Sequence, residues 1–241
     1  MNVICKTDKG MKRELNEDYV LTLKGSNYQL LIIADGMGGH NAGEIASKLA
    51  SMTVRDYVFN EYGNTMDKEE LLRMAISCAN EAVYSKAKEN KNLTGMGTTL
   101  TSVLVTGLNV YFGHVGDSRA YIINDTGIRK ITQDHSLVQE LIDNGSITEG
   151  EAINHPQRNL ITRAVGTEKN VNVDTGCETL EKNDSILLCS DGLTNYITND
   201  EIFEIVKQKK AEAVEELINT ANKRGGSDNI SIILTFGEDR I

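Results

Sequence analysis

Four aspartates stand where an apolar stretch meets glycine or asparagine. Leu30 to Ala34 runs into Asp35-Gly36, Ile186 to Ser190 into Asp191-Gly192, Val110 to Val115 into Gly116-Asp117, and Asp228-Asn229 opens Ile230 to Leu234. A single Asp-Gly is most often a turn. Four at the ends of apolar segments point instead to carboxylates converging on one edge of the fold. Their mutual repulsion there is costly unless a cation sits among them. Oxygen donors without His or Cys select hard ions, so magnesium or manganese is expected and zinc is not. Two such ions sharing a carboxylate lower the pKa of a bound water and stabilise both oxygens of an in-line phosphoryl displacement.

A second cluster is Arg13-Glu14-Leu15-Asn16-Glu17-Asp18. Arg13 offers a planar fork suited to phosphate, and Glu17 and Asp18 add carboxylates. Alone, a charged hexapeptide is usually a solvated turn, so its weight comes from the aspartates elsewhere. Cys5, Cys78, Cys177 and Cys189 show no C-x-x-C spacing, and the four histidines are scattered. The thiols are therefore expected to be reduced and mostly buried, with no zinc site.

The elements that must position these residues are legible as two periodicities. Tyr28 to Ala34, Thr99 to Thr106, Val110 to Val115, Arg119 to Ile123, Ser185 to Cys189 and Ile230 to Phe236 read as strands, as does Tyr19 to Leu23. Helical stripes run through Ala42, Ile45, Ala46, Leu49 and Met52, and through Leu71, Leu72, Ala75, Ala79, Ala82 and Val83. Two more use Ile202, Ile205 and Val206, then Val214, Leu217, Ile218 and Ala221. Thr198 and Glu201 stand at capping-box spacing before the third stripe. Runs of strands separated by helix pairs predict antiparallel sheets with the helices outside, an α+β layered sandwich rather than strict β-α alternation. The stretch from Ser136 to Gly166, with Asn144-Gly145 and His155-Pro156, reads as an irregular excursion from the core.

At 241 residues the chain is expected to form one domain, 1–241. A formal charge of -10 argues against nucleic-acid or anionic-membrane binding, which needs excess Lys and Arg. Met1 to Lys12 lacks the apolar core of a signal peptide, and no apolar run approaches the roughly 20 residues of a membrane span, so a cytoplasmic location is expected. No sustained heptad is present, and a monomer is the expected state.

These residues, taken in order, resemble the metal-dependent protein phosphatases, also called protein phosphatase type 2C, in their compact bacterial form. The likeness rests on RELNED at Arg13 to Asp18, DGMGGH at Asp35 to His40, GTT at Gly97 to Thr99 and GHVGDSRAY at Gly113 to Tyr121. It continues through TQDHS at Thr132 to Ser136, SDGL at Ser190 to Leu193 and GGSDNIS at Gly225 to Ser231. As a set the motifs are specific, although any one alone is weak. The resemblance implies a four-layer α-β-β-α sandwich, two antiparallel sheets flanked by helix pairs. It implies hydrolysis of phosphoserine and phosphothreonine with two or three Mn2+ or Mg2+. Asp35 would bridge two ions, Asp191 and Asp228 would bind the first, and Glu17 with the carbonyl of Gly36 would serve the second. Asp117, with Asp191, would hold a third. Asp18 and Asn229 would support the ligands, and Arg13 would hold the substrate phosphate. The proton for the leaving alkoxide would come from His40 or from water. The segment 136–166 matches the family's flap, where Arg158 and Arg163 could touch phosphopeptides. Phosphoproteins, a cognate serine/threonine kinase among them, are the implied partners.

Two competing readings are weaker. No P-loop, D-x-D-x-T motif or complete serine-hydrolase elbow is present, which removes the commonest other phosphate and ester chemistries. A catalytically inactive phosphatase fold acting as a binding module would be marked by loss of the acidic set, and here that set is whole.

Overall fold

The computed structural model describes residues 1–38 and 42–236, and His40, the candidate proton donor, lies outside the described residues. In chain order the strands and helices are β1 (Asn2–Asp8), β2 (Asp18–Lys24), β3 (Gln29–Met37), α1 (Ala42–Glu61), α2 (Lys68–Glu89), β4 (Gly97–Thr98), β5 (Leu100–Thr106), β6 (Asn109–Val115) and β7 (Arg119–Ile123). There follow β8 (Ile128–Lys130), α3 (Leu137–Asp143), α4 (Glu149–Ala152), β9 (Asp174–Thr179), β10 (Ser185–Cys189), α5 (Asp191–Thr194), α6 (Asn199–Lys209), α7 (Ala213–Lys223) and β11 (Ile230–Phe236).

The strands form two antiparallel sheets, ordered β1-β11-β10-β7-β8 and β2-β3-β5-β6-β9, with β4 paired to β3. Alternation along each strand builds three apolar layers. Leu30 and Ile32 of β3 face α1 and α2, meeting Ala46, Val54, Leu72 and Ile76. Leu31 and Ile33, on its other face, meet Val103, Ile186, Leu188 and Ile233 between the sheets. Leu187, Ile232 and Leu234 point to the far side, against α6 and α7. The result is the expected α-β-β-α sandwich. Because the central strands are buried on both faces, they are apolar almost without interruption.

Several expectations need correction. β3 does not stop at Ala34 but continues through Asp35 to Met37, because β4 supplies pairing for Gly36 and Met37. In α1 the buried face is Ala42, Ala46, Ala50, Val54 and Val58, while Ile45 is exposed. A face of small side chains lets the helix lie close on the sheet. Only Cys189 is buried, since Cys5 and Cys177 lie on the edge strands β1 and β9 and Cys78 is partly covered. The stretch 136–166 contains the short helices α3 and α4, the latter closed by a capping box between Thr148 and Glu151. The capping box at Thr198 and Glu201 is formed as expected. No helix among the described residues is long and apolar enough to cross a membrane.

Candidate active site

The acidic residues meet because both sheets deliver them to one rim. Asp18 opens β2 and stands in register opposite Asp35 on β3, with Glu17 just before it. In the other sheet, Asp191 follows the end of β10 and Asp228 precedes β11, its neighbour. Asp117 lies in the link from β6 to β7, where the chain passes from one sheet to the other.

Neutral side chains hold this arrangement. The Asp35 N–H donates to Thr99 Oγ1 at 2.9 Å, and its carbonyl accepts from Thr98 Oγ1 and the Thr99 N–H, each at 2.9 Å. Thr99 Oγ1 in turn lies 2.7 Å from Ser118 Oγ, beside Asp117. Buried Asn229 accepts the Glu17 N–H through Oδ1 at 2.8 Å and donates through Nδ2 to the carbonyls of Lys9 and Leu15, each at 2.9 Å. It therefore pins the loop that carries Arg13 against the start of β11. Ser190 Oγ donates to Asp18 Oδ2 at 2.8 Å and accepts the Ser231 N–H at 2.9 Å. Asn195, one turn after Asp191, donates to its Oδ2 at 3.0 Å. The Gly36 N–H reaches the Glu17 carbonyl at 3.2 Å. A Cβ on Gly43, in the first turn of α1, would stand 2.5 Å from Glu17 Oε1. Glycine there lets the helix start close over that carboxylate, with the positive end of the helix beside it.

Desolvation dominates the electrostatics, and like charges add to it. Burial lifts Asp18 to about 7, with Asp191 and Asp228 adding repulsion and hydrogen bonds from Ser231 and Ser190 opposing it. Burial lifts Asp117 to about 8, aided by Asp191 and Asp134 and opposed by Arg119. Asp35 is held well above the usual carboxylate range by burial and by Asp18, Asp191, Asp117 and Asp228 around it. Burial also raises Asp191, with Asp228 repelling it, and raises Glu17. Arg13 is an exposed cation at this rim: its Nη2 donates to Asp228 Oδ2 at 2.7 Å, with the side chain 49% exposed.

The donor set fits a hard cation. Among the described residues, buried Glu17 Oε1, Asp18 Oδ1, Asp117 Oδ1 and Asp191 Oδ1 have no hydrogen-bond partner. Buried carboxylate oxygens are ordinarily satisfied, so four short of partners in one place require explanation. Among the described residues no three His, Cys, Asp or Glu side chains stand as a ready-made coordination shell. The fit lies in the chemistry of the oxygens: acceptors only, unpaired, and too costly to ionise together without an ion.

The structure brings Glu17, Asp18, Asp35, Gly36, Asp117, Asp191, Asp228, Asn229 and Arg13 to this rim. Arg158 and Arg163, which the resemblance puts in the flap, engage other partners. Arg158 donates to the Ile153 carbonyl within its own segment, and Arg163 Nη1 to Asp174 Oδ1 at 2.6 Å. Sequence reasoning passes over Ser190, Thr99, Gly43 and Asn195 as site residues, although the first two lie inside motifs already singled out and Asn195 stands at i+4 from Asp191.

A family model described as protein phosphatase 2C matches residues 10–235. The serine/threonine phosphatase stp of Listeria monocytogenes is 39% identical over 240 residues, covering 97% of this chain and 95% of that one. The solved serine/threonine phosphatase of S. agalactiae superposes with a TM-score of 0.91 at 36% identity, covering 98% and 99% of the two chains. The catalytic domain of the phosphatase PstP, solved in complex with two manganese ions, gives a TM-score of 0.85 at 35% identity, covering 97% and 96%. Likeness of this extent, end to end in sequence and in backbone, means that the chain belongs to the protein phosphatase 2C family.

Proposed function

We propose that this protein is a metal-dependent serine/threonine protein phosphatase that hydrolyses phosphoserine and phosphothreonine in proteins. The observation that carries the reading is the set of buried, unpartnered carboxylate oxygens delivered by both sheets to one rim beside a half-exposed arginine. The relatives named above as serine/threonine phosphatases, and the PstP structure with two manganese ions, support it.

Two divalent ions, Mn2+ or Mg2+, would supply an activated water and neutralise charge on the transferred phosphoryl group. Asp35, central among the acids, would serve both ions, with Asp191 and Asp228 on one and Glu17 and the Gly36 carbonyl on the other. Asp117, with Asp191, would hold a third. Asp18 would support the ligands rather than join them: Ser190 engages its Oδ2, it stands in register opposite Asp35, and its unpaired Oδ1 would add to the negative charge that holds the ions. Asn229 fixes the backbone of Glu17. Arg13 exchanges its bond to Asp228 for the substrate phosphate, whose equatorial oxygens its planar fork can span. His40 or water returns a proton to the leaving alkoxide.

The segment 136–166 acts as a flap: it is rooted where Ser136 pairs with Ile161 and carries exposed Ile153 and Leu160. The three apolar layers share their strands, which supports one catalytic domain over 1–241. A cognate serine/threonine kinase that writes these phosphates, a monomeric state and a cytoplasmic location complete the proposal, and the net charge of -10 supports acting on proteins rather than nucleic acid.

The test is hydrolysis of a phosphothreonine peptide with manganese, with a chelator, and with Asp35→Asn. Turnover is expected with manganese alone. Metal-independent turnover, or full activity of Asp35→Asn, would sink the mechanism.

A further inference from the structure

His135 is buried, yet neither the apolar core nor the acidic rim contains it. It makes a reciprocal pair of bonds with Gly116, the residue before Asp117. The His135 N–H donates to the Gly116 carbonyl at 2.7 Å, and the Gly116 N–H donates to His135 Nδ1 at 3.0 Å. Because Nδ1 accepts, the ring proton is on Nε2, which points at Asp174 Oδ2 at 3.1 Å. Arg163 Nη1 lies 3.0 Å from the same nitrogen and 2.6 Å from Asp174 Oδ1, so two donors stand side by side on one carboxylate. Asp174 thereby sets both the tautomer and the orientation of the ring, as a carboxylate does behind a metal-ligating histidine. Here the oriented nitrogen serves a backbone amide instead.

That amide belongs to a constrained turn. Gly116 has φ +111°, and a Cβ there would stand 2.6 Å from Thr99 Cβ, so the turn can neither carry a side chain nor shift towards β5. His135 closes it from the other side. It also joins the turn to the flap. Its carbonyl accepts the Thr162 N–H at 2.9 Å, the next residue, Ser136, caps α3, and the Leu137 N–H donates to the Leu160 carbonyl at 2.9 Å. Both roots of segment 136–166 therefore meet at the histidine that holds the Gly116-Asp117 turn.

We propose that His135 is a positioning residue for Asp117: its imidazole, oriented by Asp174, fixes the Gly116-Asp117 turn and ties it to the roots of the flap. This rests on the reading of Asp117 as a ligand of a third cation. Displacing the flap roots then displaces Asp117, and occupancy of that ion depends on the flap.

Two substitutions separate this role from ordinary packing. His135→Asn keeps an acceptor near the position of Nδ1, whereas His135→Gln places its amide near Nε2 and leaves the Gly116 N–H without a partner. Manganese binding is measured by calorimetry on the full chain, with thermal unfolding in chelator as the fold control and Asp117→Asn as the reference. His135→Gln is expected to weaken the weakest manganese site roughly 10–100-fold, the range for outer-shell partners of metal ligands, and His135→Asn to leave it near wild type. Asp174→Ala, whose side chain is half exposed and can be lost without opening the core, is expected to weaken the same site and keeps the test open should His135→Gln not fold. Equal losses of melting temperature in both His135 variants with unchanged manganese binding would overturn the proposal. A site lost in Asp117→Asn but intact in His135→Gln and Asp174→Ala would overturn it alone. A titration unchanged in Asp117→Asn would overturn the assignment of a cation to Asp117 and this inference with it.

Discussion

Manganese binding to this protein should expel protons. Burial and mutual repulsion lift Asp18 to about 7 and Asp117 to about 8, and hold Asp35 well above the ordinary range. At pH 6.5 the metal-free rim therefore retains protons that an ion must displace, because only the ionised carboxylate is a good ligand. Each displaced proton makes apparent affinity rise tenfold per pH unit, about 1.4 kcal/mol, over the range below the raised pKa. One proton per ion predicts about tenfold tighter binding at pH 7 than at pH 6, and two predict about a hundredfold. The raised carboxyls favour the metal-free fold at low pH, an advantage lost as pH rises through about 7 to 8. His114, depressed to about 3 by burial, and His135, also lowered, act in the opposite sense, since their contribution is lost as pH falls below their unfolded value. They are present in both the free and the metal-loaded protein, so they cancel in the difference between the two. Calorimetric titration at pH 6.5 in two buffers of different protonation enthalpy counts the protons directly. A count of zero, or an affinity that does not change between pH 6 and pH 7, would refute the electrostatic account of the rim.

Two further outcomes follow from the same geometry. Arg13→Ala removes a charge-assisted contact of about 1.5–3 kcal/mol to phosphate, so KM for a phosphopeptide should rise roughly tenfold or more. Because Arg13 also occupies Asp228 at 2.7 Å, the same variant should bind manganese more tightly, and weaker binding would contradict the exchange proposed for Asp228. Gly43→Ala sets a Cβ 2.5 Å from Glu17 Oε1 and 2.8 Å from the Gly36 carbonyl carbon, a backbone atom that cannot swing aside. It should lower manganese affinity and activity together. An unaltered titration would show that the start of α1 yields without cost.

The central strands and the acids at their ends are the parts of this fold that the sequence exposes most directly. β3, β10 and β11 are buried on both faces, so an apolar run followed by Asp-Gly or preceded by Asp-Asn is visible without any partner. β1, with Lys6 and Asp8, and β9, with Asp174 and Glu178, are edge strands that need only one side covered, and their polar residues hide them from a search for apolar runs. Ile45 misleads for a related reason: the closely packed face of α1 uses Ala46 and Ala50, and small side chains carry a weak hydrophobic signal. At the site, Asp35, Asp117, Asp191 and Asp228 are legible because four aspartates standing where apolar runs meet glycine or asparagine are anomalous as a set. Thr99, Ser190 and His135 are not, since hydroxyls and imidazoles that hold backbone amides look like any polar residue until distant segments are brought together.

Placing the acids at the rim of the inter-sheet layer joins function to the fold. Glu17 and Asp35 belong to one sheet and Asp191 and Asp228 to the other, so their repulsion in the metal-free state acts across the interface that Leu31, Ile33, Leu188 and Ile233 hold shut. Elsewhere the sheets are bridged by Arg129 of β8 and Glu178 of β9, a two-bond pair at 3.0 and 2.9 Å, but it is largely exposed and so contributes little. A cation bound by carboxylates from both sheets would convert the most repulsive stretch of that interface into an attractive one. The residues best suited to hydrolyse a phosphate ester are then also those through which the ion closes the sandwich. Activity and rim stability should therefore be lost over the same range of metal concentration.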